Sequence, residues 1–596
     1  MREKFILTGS KDIMHNKIFS ELAQSLKEAI SKSFPESNMS QEEIYKQIGK
    51  PPNPKLGHFA FACFPLAKAF KSSPVQIAKK IEENLSAPNI LDSFGAQGPY
   101  LNVFIKSQFL GNEILTDIME GGFFKKDLIE NPPKTMIEFS QPNTHKELHV
   151  GHMRNLCLGN ATALIHKYSG HETIPVTYPG DSGTHVAKCL WYLKNHNKDP
   201  LPEKNKGAWL GQLYTRATAK LEEELGTEKE AGNRTQLGEI LQQLKKEEGE
   251  FHELWKKTRE WSLDLMKEAY RWAGVEFERW FFESEEDHSS VELAKKLYDD
   301  KVLVESEGAI GIDLSEDKLG FCILIKSDGN GNYATKDISL AKKKFEEFQV
   351  EKSVYVVDDR QSYHFQQIFK TLDKMGFEQS KDCFHLKYNV VELPDGAMSS
   401  RKGNIVPLMD LLDSMEKTIK ENYLNQYKGS WDQEEIDRTA AMVANGAIKY
   451  GMVRVDNNRK IVFDMKEWLK LDGETGPYLQ YVYARIQSLI DKIGLPEKPQ
   501  NFDWSILEKE QEKNLMIQLG LFNSTVEMAC LQYKTSFLCS YLYELGKLYN
   551  SFYAECSVAR AENEELKKAR LYLSSCVAKV MEKGLSLLGI PCPNRM

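Results

Sequence analysis

EFSQPNTHKELHVGHMRN, residues 138–155, joins a short apolar run to a helical pattern through a turn that carries His149, Gly151 and His152. The run that leads into it, TMIEF at Thr135 to Phe139, has the β-branched and aromatic content of a strand. Helical spacing then takes over at Gly151 and from Met153 to Leu164, so the helix's first turn should aim unpaired backbone N–H groups at whatever sits above the sheet. Polyphosphate is the natural occupant of such a place. Two imidazoles three positions apart can both donate to phosphate oxygens, and the glycine between them lets a flat base approach the backbone. A strand, a turn and a helix start of this composition predict a nucleotide site on an α/β sheet, with the needs of nucleotidyl transfer.

Working outward, strand and helix patterns alternate from residue 113 to about 415, the order of a doubly wound parallel sheet with its site at the carboxyl ends of the strands. Far downstream, LPDGAMSSRKGNI at Leu393 to Ile405 follows a predicted strand, Leu386 to Val391. A loop rich in Gly, Ser and Lys can close over a triphosphate, stabilise a transient charge and reopen. Inside the same region the polar stretch Lys194 to Glu250, with Leu237, Leu241, Leu244, Phe251 and Trp255 on one helical face, reads as an inserted helical layer over about 194–260. Residues 1–112 begin with Ile18, Leu22, Leu26 and Ile30 at helical spacing and continue through GHFAFACFPLAKAF and GPYLNVFI, a separate small α/β unit. From about Leu411 strands give way to long amphipathic helices: a connection over 416–470, then a bundle over 471–596. One bundle helix carries Phe537, Tyr541, Leu545, Leu548 and Phe552, and the last carries Leu573, Val577, Val580 and Met581. The fold class is therefore multidomain α/β: a Rossmann-like parallel-sheet catalytic domain, an N-terminal α/β domain and a C-terminal all-α bundle.

Composition fits this reading. With 596 residues and 41% hydrophobic content, the chain can bury several cores. No apolar stretch reaches membrane-spanning length, and MREKFILTGSK is too short and mixed for a secretory signal, so a cytoplasmic protein without membrane partners is expected. Ten cysteines, none in a C-x-x-C pair, predict free thiols in a reducing compartment, no metal site and no structural zinc. A net charge of −8 does not itself exclude nucleic acid, because local stripes set the field. Lys342 to Lys344, Arg454 to Lys460 and Lys567 to Arg570 are the candidates to track a phosphate backbone, with solvated helix faces as the alternative.

HVGH resembles the HIGH motif of class I aminoacyl-tRNA synthetases, and MSSRKG resembles their second signature, the KMSKS loop. Within that class the chain resembles the arginyl-tRNA synthetases nearly end to end. EFSQPN at Glu138 to Asn143, SDGNGNYATKD at Ser327 to Asp337, VYVVDDRQSYHFQQ at Val354 to Gln367 and the closing RLYLSSCVAKVMEKGLSLLGIPCPNRM carry the likeness. The resemblance implies that His149 and His152 stabilise the α-phosphate of ATP. ATP contacts then fall on Gly151, Asn155, His364, Met398, Ser399 and Ser400, and arginine contacts on Glu138, Asn143, Tyr333, Asp337 and Gln361. It further implies Mg²⁺ with ATP, L-arginine and tRNA(Arg) as partners, and a monomer. The N-terminal unit would contact the tRNA elbow and the bundle the anticodon. Arginine would be activated first, usually only with tRNA bound, and then transferred to the 2′ position of the terminal ribose.

The substrate's own chemistry agrees. A guanidinium is planar with five donors, so its pocket needs carboxylates in fork geometry and neutral acceptors or an aromatic face. Glu138, Asp337, Tyr333, Asn143 and Gln361 supply that set, although Asp337 could instead cap a helix starting near Ile338, Tyr333 could be core and Asn143 could simply turn the chain. Tyr478, Tyr481 and Tyr483 in GETGPYLQYVYARI could stack bases, with burial the expectation for at least two.

Two departures from the family pattern matter. At Ala397 and Ser400 the loop lacks both signature lysines, which leaves Lys402 and Lys146 as the candidate catalytic cations, with Lys146 expected to carry most of the role. In YPGDSGTHVAKCLW, Ser182 and His185 stand where the family often has tryptophan and glutamine, and His185 is expected to be a satisfied core residue. Two rival readings are a cysteinyl-tRNA synthetase, disfavoured because paired cysteines for its zinc are missing, and a non-catalytic tRNA-binding paralogue, kept alive by the missing loop lysines.

Overall fold

The computed structural model describes residues 17–51, 53–86, 89–124, 127–394, 396–397, 406–495 and 502–596. At its centre is a five-stranded, all-parallel sheet in the spatial order Cys383–Tyr388, Lys352–Asp358, Thr135–Glu138, Thr173–Thr177, Arg279–Trp280. In chain order that is 5-4-1-2-3, so the direction of winding reverses between Thr135–Glu138 and Lys352–Asp358. A crevice opens at the carboxyl ends of two such strands, because their crossovers leave to opposite faces. Glu138 and Asp358 are those two ends.

The three inner strands are largely buried, which explains their apolar runs: Met136, Ile137, Val176, Val354 and Val356 are all fully buried, whereas the edge strands Cys383–Tyr388 and Arg279–Trp280 are only partly so. The Val150–Tyr168 helix packs flush on the first strand, because a side chain at Gly159 would collide with the Phe139 ring. The predicted Leu386 to Val391 strand is two pieces, Cys383–Tyr388 in the main sheet and Val391–Leu393 outside it. The second piece pairs in parallel with Ile461–Val462, so strands do not end at Leu411 as expected.

The insertion is broken into separate helices rather than one. Lys206–Glu223, Lys229–Lys246 and Glu250–Ala273 succeed one another, with the last break made at Glu247 and Gly249, both at positive φ. Leu237, Leu241, Leu244, Phe251 and Trp255 do face one core, around Leu190 and Trp191.

The first 112 residues fold, where described, as an antiparallel sheet (Ile48–Gly49, Phe59–Ala62, Tyr100–Ile105, Leu91–Gln97) covered by helices Lys17–Ser33 and Pro74–Asn84. Ile18, Leu22, Leu26 and Ile30 are at most 3% exposed, worth about 1.5–3 kcal/mol each in transfer terms. This unit packs on the C-terminal helices: Ser107 Oγ donates to Leu507 O at 2.6 Å and Lys50 Nζ to Gln518 Oε1 at 2.8 Å. In the helical body, Gly476–Ile493 crosses Gln433–Val453 closely enough that a Cβ at Gly476 would strike the Gly446 carbonyl. Thr535–Glu555 and Glu564–Leu587 bury the stripes read from the sequence.

Two of the three basic runs are not continuous RNA-facing surfaces. Lys344 is completely buried, while Lys343 and Lys342 pair with Glu286 and Glu346 at 3.1 and 3.4 Å. Arg570 is 4% exposed and its Nε lies 2.7 Å from the buried Glu512, so within Lys567 to Arg570 the arginine's charge serves the core, while Lys567 and Lys568 pair with Glu564 and Glu565 at the surface. In Arg454 to Lys460, Arg454 faces Glu474 at 3.5 Å and Lys460 faces Glu392 at 2.8 Å. Tyr478 and Tyr483 are buried; Tyr481 is half-buried, its hydroxyl accepting from Arg485 Nη2 at 2.8 Å.

Candidate active site

His149 is the N-cap of the Val150–Tyr168 helix, and the cap uses imidazoles where Ser or Asp is usual. Its Nδ1 accepts the Gly151 N–H at 3.1 Å, and the Nδ1 of His152 accepts the His149 N–H at 3.1 Å, with the two ring centroids 3.9 Å apart. A backbone N–H can only donate, so both Nδ1 atoms are unprotonated and each neutral ring carries its proton on Nε2. Burial holds His149 down at about 4. It holds His152 well below the imidazole range, with His149 and the Lys146 ammonium acting the same way. Both rings are thus neutral Nε2–H donors at pH 7. The first-turn N–H groups expected to face phosphate are instead engaged: Val150 by Val406 O at 3.4 Å, Gly151 by His149 Nδ1, and His152 by His149 O at 2.9 Å. The imidazoles inherit the donor role.

The two signature segments meet. His149 bridges Pro407, and Leu408 N donates to Leu148 O at 2.9 Å, so the far end of the second loop is stitched to the histidine turn. Met398, Ser399, Ser400 and Lys402 lie outside the described residues. Lys146 Nζ stands 5.1 Å from the Tyr214 ring centroid; burial, and after it the Lys146 charge, holds His185 at about 3. His185 is partnered, its Nε2 lying 3.2 Å from Gly180 O.

The turn that presents Lys146 is strained and clamped. Ser140 and His145 both have positive φ, 57° and 59°, without being glycine. Asn155 holds one end: its Oδ1 accepts Ser140 N at 2.6 Å, and its Nδ2 reaches Gln141 Oε1 at 3.1 Å and Val356 O at 2.8 Å. The Glu250–Ala273 helix holds the rest through polar residues on one face. Ser262 Oγ accepts His145 N at 2.9 Å, Thr258 Oγ1 lies 2.8 Å from His145 Nε2, and Tyr270 OH lies 2.9 Å from Ser140 Oγ. The same helix fixes the neighbouring turn, where Arg259 Nε meets the fully buried Asp181 at 2.7 Å and Trp255 donates to Asp181 O at 2.8 Å.

Across the crevice sits an acidic hollow. Tyr333 opens the Tyr333–Phe348 helix, capped by Asn332, so Asp337 lies one turn inside it and caps nothing; the two share a face. Tyr333 is 61% exposed and therefore not core. His364 Nε2 is 2.6 Å from Asp337 Oδ2, which joins the expected nucleotide and arginine contacts in one network. Asn143 bridges Gly180, and a Cβ at Gly180 would displace the Asn143 amide oxygen. Gln361 is exposed at the N-cap of Ser362–Lys374. Glu138 is buried and pairs with buried Lys344, while its other oxygen accepts Gln141 Nε2 at 3.2 Å.

Sequence reasoning missed Glu283 and Tyr178. Burial pushes Glu283 up to about 7, opposed by Lys336, 3.9 Å away, and reinforced by Asp337, Asp181 and Asp287. Tyr178 is raised well above the phenol range by burial, then by Asp337, Glu283, Glu138 and Glu286, and its buried hydroxyl has no hydrogen-bond partner among the described residues. Carboxylates gathered round an unpartnered phenol suit a cationic, donor-rich ligand. The available signal was position: Glu283 follows Arg279–Trp280 and Tyr178 follows Thr173–Thr177, both at carboxyl ends of sheet strands.

Comparison with known proteins agrees with this geometry. The family model described as tRNA synthetases class I (R), catalytic domain, matches residues 116–465; the DALR anticodon binding domain matches 479–596, and the arginyl tRNA synthetase N terminal domain 20–105. An arginine–tRNA ligase of Bdellovibrio bacteriovorus is 51% identical over 584 residues, covering 98% of this chain and all of that one. One of Treponema denticola is 34% identical, covering 91% of this chain and 94% of its own. The fold matches Thermus thermophilus arginyl-tRNA synthetase with a TM-score of 0.79 at 24% identity, covering 97% of this chain and 99% of that one. Plasmodium falciparum arginyl-tRNA synthetase aligns with a TM-score of 0.76 at 20% identity over the same shares. Nothing in these matches supports the cysteinyl or non-catalytic readings, and with family models covering all three regions and a full-length relative at 51% identity, the chain belongs to the arginyl-tRNA synthetase family of class I aminoacyl-tRNA synthetases.

Proposed function

We propose the following division of labour for the arginine–tRNA ligase reaction of this chain. ATP enters as its Mg²⁺ complex at the sheet's winding reversal, and the Nε2–H groups of His149 and His152 donate to the α-phosphate as charge accumulates during attack by the arginine carboxylate. Lys146, presented by the strained turn, supplies the cation that the second loop lacks at Ala397 and Ser400, with Lys402 the alternative. Gly151, Asn155, His364, Met398, Ser399 and Ser400 shape the nucleotide side. Asp337, Glu283, Tyr333 and Tyr178 receive the cationic groups of arginine with Glu138, Asn143 and Gln361, and the Lys344 charge beside Glu138 keeps that carboxylate from being the sole anchor. The adenylate is then attacked by the terminal ribose of tRNA(Arg).

The observation that carries this reading is the paired cap: two neutral imidazoles, each with Nδ1 tied to a backbone N–H and only Nε2–H left to offer a ligand. Prearranged donors of this kind act on developing charge without reorganising. As part of the same proposal, residues 1–112 contact the tRNA elbow, 113–415 catalyse with 194–260 inserted, 416–470 connect and 471–596 read the anticodon. The enzyme is taken to act as a cytoplasmic monomer, a reading compatible with the fact that no described helix is long and apolar enough to cross a membrane.

The test is arginine-dependent exchange of labelled pyrophosphate into ATP, with and without tRNA, using cysteine and lysine as controls. Exchange only with arginine and tRNA is expected; exchange that survives replacement of both histidines by alanine would refute the assigned roles.

A further inference from the structure

At the opposite end of the signature helix, away from the nucleotide, three metal-binding side chains converge. His166 lies in the helix's last turn, His171 just before the Thr173–Thr177 strand, and Cys530 in the Phe522–Leu531 helix of the C-terminal body. Their potential ligand atoms all lie within 4.8 Å of one another. His166 and Cys530 are 1% and 2% exposed, and His171 is half-buried, which leaves an entry path. From His152 to His166 the helix rises roughly 21 Å at ~1.5 Å per residue, so this cluster is no part of the active site.

The ring tautomers follow from the neighbours. His166 Nδ1 is 2.8 Å from Thr162 O, and a carbonyl only accepts, so Nδ1 bears the proton. His171 Nδ1 is 3.0 Å from Pro133 O and 3.2 Å from Thr135 Oγ1, whose own hydrogen is given to Pro133 O. Both rings therefore keep an Nε2 lone pair. Imidazoles that bind metals characteristically donate the other ring N–H to a backbone carbonyl, and here both do. Two lone pairs and one thiol make a poor hydrogen-bond set, because the single S–H can satisfy only one of them. A second observation points the same way: Ser169, between the two histidines in sequence, is fully buried with its hydroxyl set against the Cys530 thiol, so a further polar ligand atom lines the cluster.

We infer that His166, His171 and Cys530 form a zinc-binding site that pins the base of the signature helix to the C-terminal helical body. Mixed imidazole and thiolate donors suit Zn²⁺, at about 2.0–2.1 Å for nitrogen and 2.3 Å for sulfur. Three ligand atoms no more than 4.8 Å apart share a centre within about 2.8 Å of each, so an approach of about 0.8 Å or less brings them to bonding distance. Water or the Ser169 hydroxyl takes the fourth position. Binding forms two Zn–N bonds and one Zn–S bond and releases the thiol proton to solvent. The charged groups facing the cluster are Lys352, which opposes a cation, and Glu527, one turn before Cys530, which favours it. No C-x-x-C spacing marks the site in the sequence, because its ligands come from distant segments of the chain.

Purified full-length protein is equilibrated with zinc chloride, desalted and assayed for zinc by atomic emission, alongside Cys530→Ser and His171→Gln. About one zinc per wild-type chain and almost none in either variant is expected, with a chelator lowering the thermal midpoint of the wild type only. Cobalt should give a thiolate charge-transfer band in the wild type that Cys530→Ser lacks. Circular dichroism and arginine-dependent exchange verify that the variants fold. Equal zinc in all three proteins, or wild-type protein that takes up neither zinc nor cobalt, would overturn the site.

Discussion

The clamp on the His145 turn can be broken without touching any substrate contact. Thr258→Val with Ser262→Ala removes two hydrogen bonds, one to His145 Nε2 at 2.8 Å and one from His145 N at 2.9 Å. The backbone N–H is then left buried and unpaired, at a cost of about 1–3 kcal/mol, and the second bond adds about 1 kcal/mol. Holding His145 at a φ of 59° already stores about 1–2 kcal/mol, which the turn can recover by relaxing once the bonds are gone. Relaxation moves Lys146, the next residue. A population shift of about 2–3 kcal/mol away from the productive turn lowers kcat/KM roughly 30- to 150-fold, at 1.36 kcal/mol per decade. The assay is pyrophosphate exchange at saturating tRNA, with urea unfolding run in parallel. Adding His145→Gly should recover part of the loss, because glycine accepts a positive φ at little cost. Exchange within twofold of wild type, together with the expected drop in stability, would refute the idea that this helix sets the turn.

Lys146→Ala should slow activation by ~10²-fold, the scale of losing one strong transition-state contact, and a loss under about fivefold would move the role to Lys402. Glu283 sits at about 7, so arginine binding to its carboxylate should strengthen as pH rises, with KM falling about tenfold from pH 6 to 8. Glu283→Gln should show a higher, pH-flat KM; an unchanged slope would remove Glu283 from the site. Arg570→Ala leaves Glu512 buried without its partner and should destabilise by about 3–5 kcal/mol in urea unfolding, whereas the surface change Lys567→Ala should cost less than about 0.5 kcal/mol. Burial lowers His149 and His58 to about 4 and His145, His166 and His185 to about 3, so below pH 6.5 the unfolded chain binds more protons than the folded one, outweighing the single proton that Glu283 takes up in the folded chain. Stability should be flat from pH 8 to 7 and decline steadily from 6.5 toward 4; a urea midpoint that holds to pH 5 would contradict the burial assigned to these rings.

What the sequence alone determined is local. TMIEF reads as a buried strand because Thr135, Met136, Ile137 and Phe139 fill all of it but Glu138, and the helix after HVGH follows from its spacing. The amphipathic stripes of the last helices and of Ile18 to Ile30 were legible for the same reason. So was the motif pair, because short signatures keep their residues adjacent. Tertiary structure decided everything that depends on who lies opposite. The first-turn N–H groups looked free for phosphate, yet Val406 and the His149 ring consume them, since an imidazole can cap a helix when its partner's ring is three positions on. Lys344 reads as surface charge and is buried, because the strand end beneath it brings Glu138 as its counter-ion. Thr258, Ser262 and Tyr270 look like ordinary polar positions of an inserted helix until the fold sets them against a strained turn. Glu283 and Tyr178 join Asp337 only because parallel strands deliver their carboxyl ends to one edge of the sheet, bringing together residues that no sequence window spans.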